Sequence, residues 1–251
     1  MSQQQNTLEN HIVVLGWDQF SYGLVDQLLA ADNQIAVVTA STDAKQVINE
    51  TFGTEVRVVV NPVMDVTHLE DVRIEQCKKV FVNLTSDNES LVAVLNLQAE
   101  YGADLSIDVV IENPSLQDTF YVAGANYAVS PESLSSNVIA SHIYEEDVGR
   151  FTSEFLHATE SENDCEFQQY RILEENKYCG SDYETVFWDL KKEFNCVVVG
   201  LSKRVDGERT LQKAPDWETS VNEGDYVVLM TPGTAEDDLI ELFGVDEGTA
   251  R

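Results

Sequence analysis

Residues 16–21, GWDQFS, follow a short apolar run, HIVVL, and have the spacing of a turn that binds the phosphates of a dinucleotide. In such a turn the first glycine allows the bend, the second lets the backbone approach the pyrophosphate, and the third lets the helix pack on the strand. Only Gly16 is present, because Asp18 and Ser21 occupy the other two positions. A carboxylate at position 18 would lie where the pyrophosphate binds and would already satisfy part of the helix dipole.

The rest of the cofactor chemistry is also missing. The second apolar run ends VVTASTD, which places Thr39 and Ala40 where an acid would bind the ribose, and Asp43 fits a helix start better. No serine or cysteine lies in a nucleophile elbow. The four histidines are scattered: His11, His68, His142 and His157. We therefore predict that the chain is not an enzyme and that hydride transfer with a bound nicotinamide is disfavoured.

The elements that must position this turn alternate between short apolar runs and segments of helical periodicity. That alternation predicts an α/β fold, a Rossmann-like doubly wound parallel sheet with helices on both faces. A capping box, Ser86 with Glu89, and the pair Asn113-Pro114 predict two helix starts. The six predicted strands are His11 to Leu15, Gln34 to Thr39, Glu55 to Asn61, Lys79 to Leu84, Leu105 to Glu112 and Tyr127 to Val129.

Past Pro131 the alternation stops, and a long helical stretch is predicted to leave the sheet as crossover helices. It carries two apolar stripes without an obvious partner in the first lobe: Leu134, Val138, Ile139 and Ile143, then Val148, Phe151, Phe155 and Leu156. The stripes pack either on the C-terminal domain or across a dimer interface. We favour the dimer interface, formed by Val138, Ile139, Ile143, Phe151 and Phe155.

A small α+β lobe is predicted to follow. Its strands are Phe167 to Leu173, Cys196 to Ser202 and Tyr226 to Met230, and turn signals lie at Asp206-Gly207 and Glu223-Gly224-Asp225. Helices are predicted around residues 186–194 and from Glu236 to Phe243. The predicted domains are a tail at 1–9, an N-lobe at 10–130, crossover and dimerisation helices at 131–157, a linker at 158–166, a C-lobe at 167–245 and a tail at 246–251.

Charge limits the partners, because 45 acidic and 15 basic residues give a net charge of −30. Such a surface repels polyanions, so we expect no nucleic-acid partner, and an anionic membrane surface is disfavoured for the same reason. We hypothesise a salt-loving or salt-tolerant source, since salt would screen the self-repulsion. The apolar runs are far shorter than the roughly 20 residues of a membrane span, and MSQQQNTLEN lacks a signal core. We therefore expect a cytoplasmic protein, and we interpret the four cysteines, which show no C-x-x-C pairing, as free thiols.

Three segments, HIVVLGWDQF, KVFVNLTSDNESLVAVLNL and IENPSLQDTFYVAGANYAVSP, resemble the RCK domain, the regulator of potassium conductance of potassium channels and of Trk and Ktr transport subunits. GLSKRVDGERTL and APDWETSVNEGDYVVLM resemble that family's C-terminal lobe, TrkA-C, as the first lobe resembles TrkA-N. The resemblance covers roughly residues 8–244. Gly16-Trp17 in a loop without further glycines is more similar to the channel-associated, calcium-gated branch than to the nucleotide-binding transporter subunits.

The resemblance implies a ligand-sensing gating-ring domain that controls potassium flux through a membrane channel or transporter subunit. It implies a cytoplasmic location peripheral to the membrane, a homodimer through the helices after the first lobe, and often a ring of eight. The alternatives from other classes are a nicotinamide-dependent oxidoreductase and a ligand-free dimeric interaction protein.

The ligand is less well defined by the resemblance. In calcium-gated relatives, carboxylates come from the ends of the fourth and fifth strands, and the matching positions are Asn83, Val110 and Glu112, with only one carboxylate. Calcium, another cation or an adenine nucleotide remain the ligand hypotheses. A different cation site could use Asp18, Asp87 and Glu89, although a solvated surface is the favoured role of any one acid. The predicted metal ligands are Glu112, Asn83 and Asp87. The predicted ligand-binding cleft comprises Gly16, Trp17, Asp18, Thr39, Asn83 and Glu112, because ligands bind at the carboxyl ends of parallel strands.

Overall fold

A computed structural model describes residues 8–61, 69–155, 165–205 and 208–248. The chain divides into two compact units, Met1–Glu145 and Glu146–Arg251. Of the residues singled out above, His68, Leu156, His157 and the turn Asp206-Gly207 lie outside the described residues, as does most of the linker. Among the helices in the described ranges, none has the length and apolar composition needed to cross a bilayer.

The first unit is built on a six-stranded, wholly parallel sheet of order β3-β2-β1-β4-β5-β6, which confirms the predicted Rossmann-like class. All six predicted strands are present, with ends shifted by at most two residues. The strands are β1 (His11–Leu15), β2 (Ile35–Thr39), β3 (Val56–Val60), β4 (Cys77–Val82), β5 (Ile107–Val110) and β6 (Tyr127–Val129). The helices are α1 (Gln19–Ala30), α2 (Thr42–Phe52), α3 (Asp87–Tyr101), α4 (Gln117–Val122) and α5 (Pro131–Tyr144).

Apolar side chains cover both faces of the central strands, as their continuous apolar sequences predict. Every residue of β1 and β2 is buried. On one face Val13 and Leu15 join a core with Leu97 of α3 and Phe120 of α4. The other face packs against α1 and α2.

Helix starts agree with the capping signals in the sequence. Ser86 Oγ accepts a hydrogen bond from Glu89 N at 3.4 Å, as the predicted capping box requires. Asn113 Oδ1 accepts from Ser115 N at 3.1 Å, and Pro114 begins a short 3₁₀ turn before α4. These caps place both helix N-termini directly after the ends of β4 and β5, where the predicted cleft lies.

His11 is the buried polar side chain at the opposite end of the first strand. Its Nε2 lies 2.7 Å from the carbonyl of Val72, while Nδ1 has no partner among the described residues. Burial lowers the pKa of His11 from its ordinary value of 6.5. The hydrogen bond to Val72 raises this pKa and the charge of Arg73 lowers it further, and the net result is a lowered pKa. The neutral imidazole is therefore the form that the fold favours.

The apolar stripe of α5 is uncovered within the first unit. No residue of α5 is buried, and Leu134, Ile139 and Ile143 are 52%, 60% and 74% exposed. Val138 on the same helix is half-buried. The stripe is therefore available to a partner, and its role in a dimer remains a prediction.

The second unit contains α6 (Glu146–Phe155), then β7 (Cys165–Arg171), α7 (Tyr183–Phe194), β8 (Val197–Val205), β9 (Glu208–Lys213), β10 (Tyr226–Pro232) and α8 (Glu236–Phe243). Its antiparallel sheet has the order β7-β10-β8-β9. Cys165 and Glu166, predicted as the end of the linker, instead begin β7, because they pair with Pro232 and Thr231. Phe151 of α6 is 50% exposed, and Phe155 is the last residue of that helix.

Two ion pairs in the second unit differ in their exposure. Lys203 Nζ lies 2.6 Å from Asp225 Oδ2, and their side chains are 16% and 7% exposed. Lys177 Nζ lies 3.1 Å from Glu193 Oε2, and these two side chains are 45% and 52% exposed. The four cysteines are free thiols, as predicted.

Candidate functional site

The carboxyl ends of β1, β2, β4 and β5 surround a cavity of about 580 Å³ in the first unit. All six residues of the predicted cleft line this cavity: Gly16, Trp17, Asp18, Thr39, Asn83 and Glu112. Asp87 and Val110, which the sequence also placed at these strand ends, line it as well. Glu89, considered for a cation site, is not among the lining residues. The sheet order therefore brings the predicted cleft residues together, and their binding role remains a prediction.

Gly16 makes the loop pack tightly on the fourth strand. Its φ is +96°, and a Cβ at this position would lie 1.8 Å from the carbonyl oxygen of Asn83. The amide of Gly16 donates to Val38 O at 2.9 Å, and the amide of Asn83 donates to Leu15 O at 2.8 Å. Only a residue without a side chain fits between these strand ends, so the first glycine of the turn keeps its structural role.

Asp18 occupies the N-terminus of α1. Its Oδ1 accepts from the backbone amide of Ser21 at 2.8 Å and from Nδ2 of Asn83 at 2.8 Å. Asn83 Nδ2 also donates to Ser21 Oγ at 2.8 Å, which closes a network of three side chains. The helix terminus that would attract a phosphate therefore already holds a carboxylate of the chain itself.

Ser21 has a role that sequence reasoning missed. The sequence identified it only as a missing glycine, whereas the structure shows it fully buried and bonded to Asn83. No local signal reveals this contact, because the two residues lie 62 positions apart.

Asp87 fastens the end of the fifth strand to α3. Its two carboxylate oxygens accept from the backbone amides of Glu112 at 2.7 Å and Asn113 at 3.0 Å. The predicted metal ligands Glu112, Asn83 and Asp87 therefore line one cavity, but Asp87 is already engaged with backbone donors. Among the described residues, no group of three or more histidines, cysteines, aspartates or glutamates is placed to hold a metal ion.

The cavity wall combines negative charge with aromatic rings. Its lining includes Asp18, Asp87 and Glu112 and contains no lysine, arginine or histidine among the described residues. Trp17 lies edge-on to Tyr22, with ring centroids 6.3 Å apart. Phe20 stacks on Phe81 at 6.2 Å. Such a wall favours a cation or an uncharged molecule over a phosphate, since like charges repel in a partly enclosed site.

Comparison with known proteins agrees with the fold. Residues 12–131 match the family model of the TrkA-N domain. The chain is 17% identical to the human SLO3 gating ring. The alignment covers 93% of this chain and 50% of that chain, with a TM-score of 0.74.

Two further solved structures are less similar in shape. The GsuK RCK domain is 19% identical, covering 96% of this chain and 49% of that chain at a TM-score of 0.46. The TrkA-N domain of the Escherichia coli inner membrane protein ybaL is 19% identical, covering 54% of this chain and 97% of that chain at a TM-score of 0.48. The chain thus spans about half the length of the GsuK and SLO3 structures. A search of curated protein sequences finds no significant match. Residues 12–131 are therefore similar to the TrkA-N domain, and the chain shares the fold of the human SLO3 gating ring.

Proposed function

We propose that this chain is a cytosolic, ligand-sensing regulatory domain of the gating-ring type, which controls potassium transport through a membrane channel or transporter. The observation that carries the proposal is the network around Asp18. A TrkA-N domain here keeps its strand-end cavity but fills the phosphate position with its own carboxylate. The fold shared with the human SLO3 gating ring supports the same function.

The mechanism is thermodynamic linkage. A ligand in the cavity shifts the ring only by its difference in affinity for two conformations. Asp87 is a suitable element for such a shift, because its two oxygens join α3 to the backbone after the fifth strand. A cation bound at Glu112 would compete with or reorient these hydrogen bonds. The lobe would then move against a second copy held at the exposed stripe of α5.

The absence of enzymatic activity is part of this proposal. A nicotinamide-dependent oxidoreductase would bind the reduced cofactor tightly despite Asp18, and a ligand-free dimer would bind none of the candidate ligands. Calorimetric titration with calcium, ATP, ADP and NAD separates these functions. We expect heat from a cation and none from NAD, and tight NAD binding with turnover of an oxidisable substrate would refute the proposal.

Potassium transport itself is tested in cells. Deletion of the gene from its source organism is expected to change the uptake of rubidium-86, and the wild-type chain should restore it. Glu112→Gln, which keeps the size of a cavity residue and removes its charge, should fail to restore ligand-dependent uptake. Asp26→Asn, an exposed change on α1 outside the cavity, is the matched control and should restore it. Uptake that is unchanged by the deletion would refute the proposed function.

A further inference from the structure

The second unit carries an aromatic surface formed by α7 and the segment beside it, which we call the tryptophan face and define as Phe187, Trp188 and Trp217. The side chains of Trp188 and Trp217 are 44% and 45% exposed. They are two of the three tryptophans of the chain. Phe187 lies between them, edge-on to both, with ring centroids 5.3 Å from Trp188 and 5.5 Å from Trp217. Large aromatic side chains that stay exposed side by side are typical of a surface that binds a partner.

The tryptophan face is held in place by the backbone. Residues 217–221 pair with residues 180–184, and the amide of Glu184 donates to Trp217 O at 3.1 Å. Tyr183 is 4% exposed and stacks on Trp217 at 5.6 Å, while its hydroxyl donates to Val198 O at 2.7 Å. The Trp217 ring is therefore preorganised, so binding to it would cost little side-chain entropy.

The charges around the tryptophan face favour a cationic partner. Exposed carboxylates flank Trp217 in the chain, at Asp216 and Glu218, and Glu184 is bonded to it through the backbone. The ammonium of Lys192 already lies 5.9 Å from the ring centroid of Trp188. An indole face of this surface therefore accepts a cation within the chain itself, as the negative face of an aromatic ring does.

We propose that the tryptophan face is a docking site for an arginine- or lysine-rich segment of a partner polypeptide. Its side chains would stack on the two indoles and pair with the carboxylates at 184, 216 and 218. A second copy of this chain fits less well, because it would bring the same carboxylates together on chains of net charge −30. That the partner is a membrane protein rests on the proposed function, and cytosolic loops of membrane proteins carry an excess of lysine and arginine.

The test uses the full chain and a fluorescein-labelled peptide in which arginine alternates with serine, followed by fluorescence anisotropy at about 0.15 M salt, where exposed charges are well screened. We expect saturable binding, and no binding of the same peptide with glutamate in place of arginine. Trp188→Ala should weaken binding about 2- to 5-fold through the lost cation–π contact. The triple variant Glu184→Gln, Asp216→Asn, Glu218→Gln should weaken it about tenfold.

Two matched controls distinguish this surface from general attraction to an acidic protein. The triple variant Asp26→Asn, Asp32→Asn, Glu55→Gln removes three exposed acids that line a groove of the first unit, and it should leave binding unchanged. An equal loss of affinity in this variant would overturn the proposal.

The second control removes one positive charge at neighbouring positions. Lys192→Ala frees the Trp188 ring and should tighten binding more than Lys191→Ala, whose ammonium bonds to Asn195 Oδ1 at 2.6 Å instead. Equal changes in peptide affinity in Lys192→Ala and Lys191→Ala would overturn the proposal that the peptide makes a cation–π contact with Trp188.

Two further outcomes separate this proposal from others. Light scattering that shows a dimer lost only in Trp188→Ala would assign the face to a second copy and overturn a basic partner. If the purified chain binds the peptide but deletion of its gene leaves rubidium uptake unchanged, the proposed function is refuted and the docking site is retained.

Discussion

Asp18 offers the sharpest test of how the cleft is built, because two substitutions separate its hydrogen bonds from its charge. Asp18→Ala removes the cap of α1, which costs about 0.5–2 kcal/mol. It also takes one of two acceptors from the buried amide of Asn83, which costs about 0.5–1.5 kcal/mol more. The free energy of unfolding of the first unit should fall by roughly 1–3.5 kcal/mol. Asp18→Asn keeps an oxygen that caps a helix equally well, so its change should stay below about 0.5 kcal/mol.

Scanning calorimetry is the assay, and it compares the Tm of the transition in which the first unit unfolds between the variants and the wild-type chain. At about 2–4 °C per kcal/mol for a domain of this size, Asp18→Ala should lower the Tm of that transition by roughly 2–14 °C. A Tm that Asp18→Ala leaves unchanged would refute the network. An Asp18→Asn variant as unstable as Asp18→Ala would show that the charge, and not the hydrogen bonds, stabilises the loop.

The same pair of variants tests the exclusion of phosphates. Two unit charges about 4 Å apart repel by about 1 kcal/mol in water and about 4 kcal/mol at an effective dielectric constant of 20. Removal of the charge in Asp18→Asn should therefore raise the affinity for ADP roughly fivefold or more, measured by calorimetry. Wild-type protein that binds ADP as tightly as Asp18→Asn would contradict the role assigned to this carboxylate.

Three further predictions concern stability. Gly16→Ala should destabilise the first unit by more than about 3 kcal/mol or prevent folding, whereas Gly23→Ala, which meets no atom within 4 Å, should be neutral or stabilising in thermal unfolding. Because the pKa of His11 is lowered in the folded chain, the unfolded chain binds more protons below pH 6.5. Stability is therefore full above that pH and falls as the pH drops, and His11→Gln should flatten this dependence in urea unfolding at several pH values. Lys203→Met leaves the buried carboxylate of Asp225 without its ion-pair partner and should lower the free energy of unfolding by about 3–5 kcal/mol. Lys177→Met breaks an exposed ion pair and should lower it by less than about 1 kcal/mol. Equal losses in the two variants would contradict the role assigned to burial.

Much of the fold follows from the sequence because its signals are local. Runs such as HIVVL have the apolar sequence of buried strands, and six short apolar runs separated by helical segments predict a parallel sheet. Serine and asparagine caps predict where α3 and the turn before α4 begin. The departure from the glycine pattern at positions 18 and 21 likewise predicts that phosphate chemistry is lost. Each of these inferences needs only neighbours within one turn or one strand.

The partners of the cleft residues were decided by the tertiary structure alone. Asn83 meets Asp18 across 65 positions, and Asp87 meets the amide of Glu112 across 25. The tryptophan face forms only because residues 217–221 pair with residues 180–184, which brings Trp217 beside α7. Periodicity fixes which face of an element is apolar, but it does not fix which strand lies beside which. The sheet order sets the distances between side chains on neighbouring strands. A hydrogen bond forms only when donor and acceptor come within about 3 Å of each other, so the sheet order decides which of these side chains are bonded.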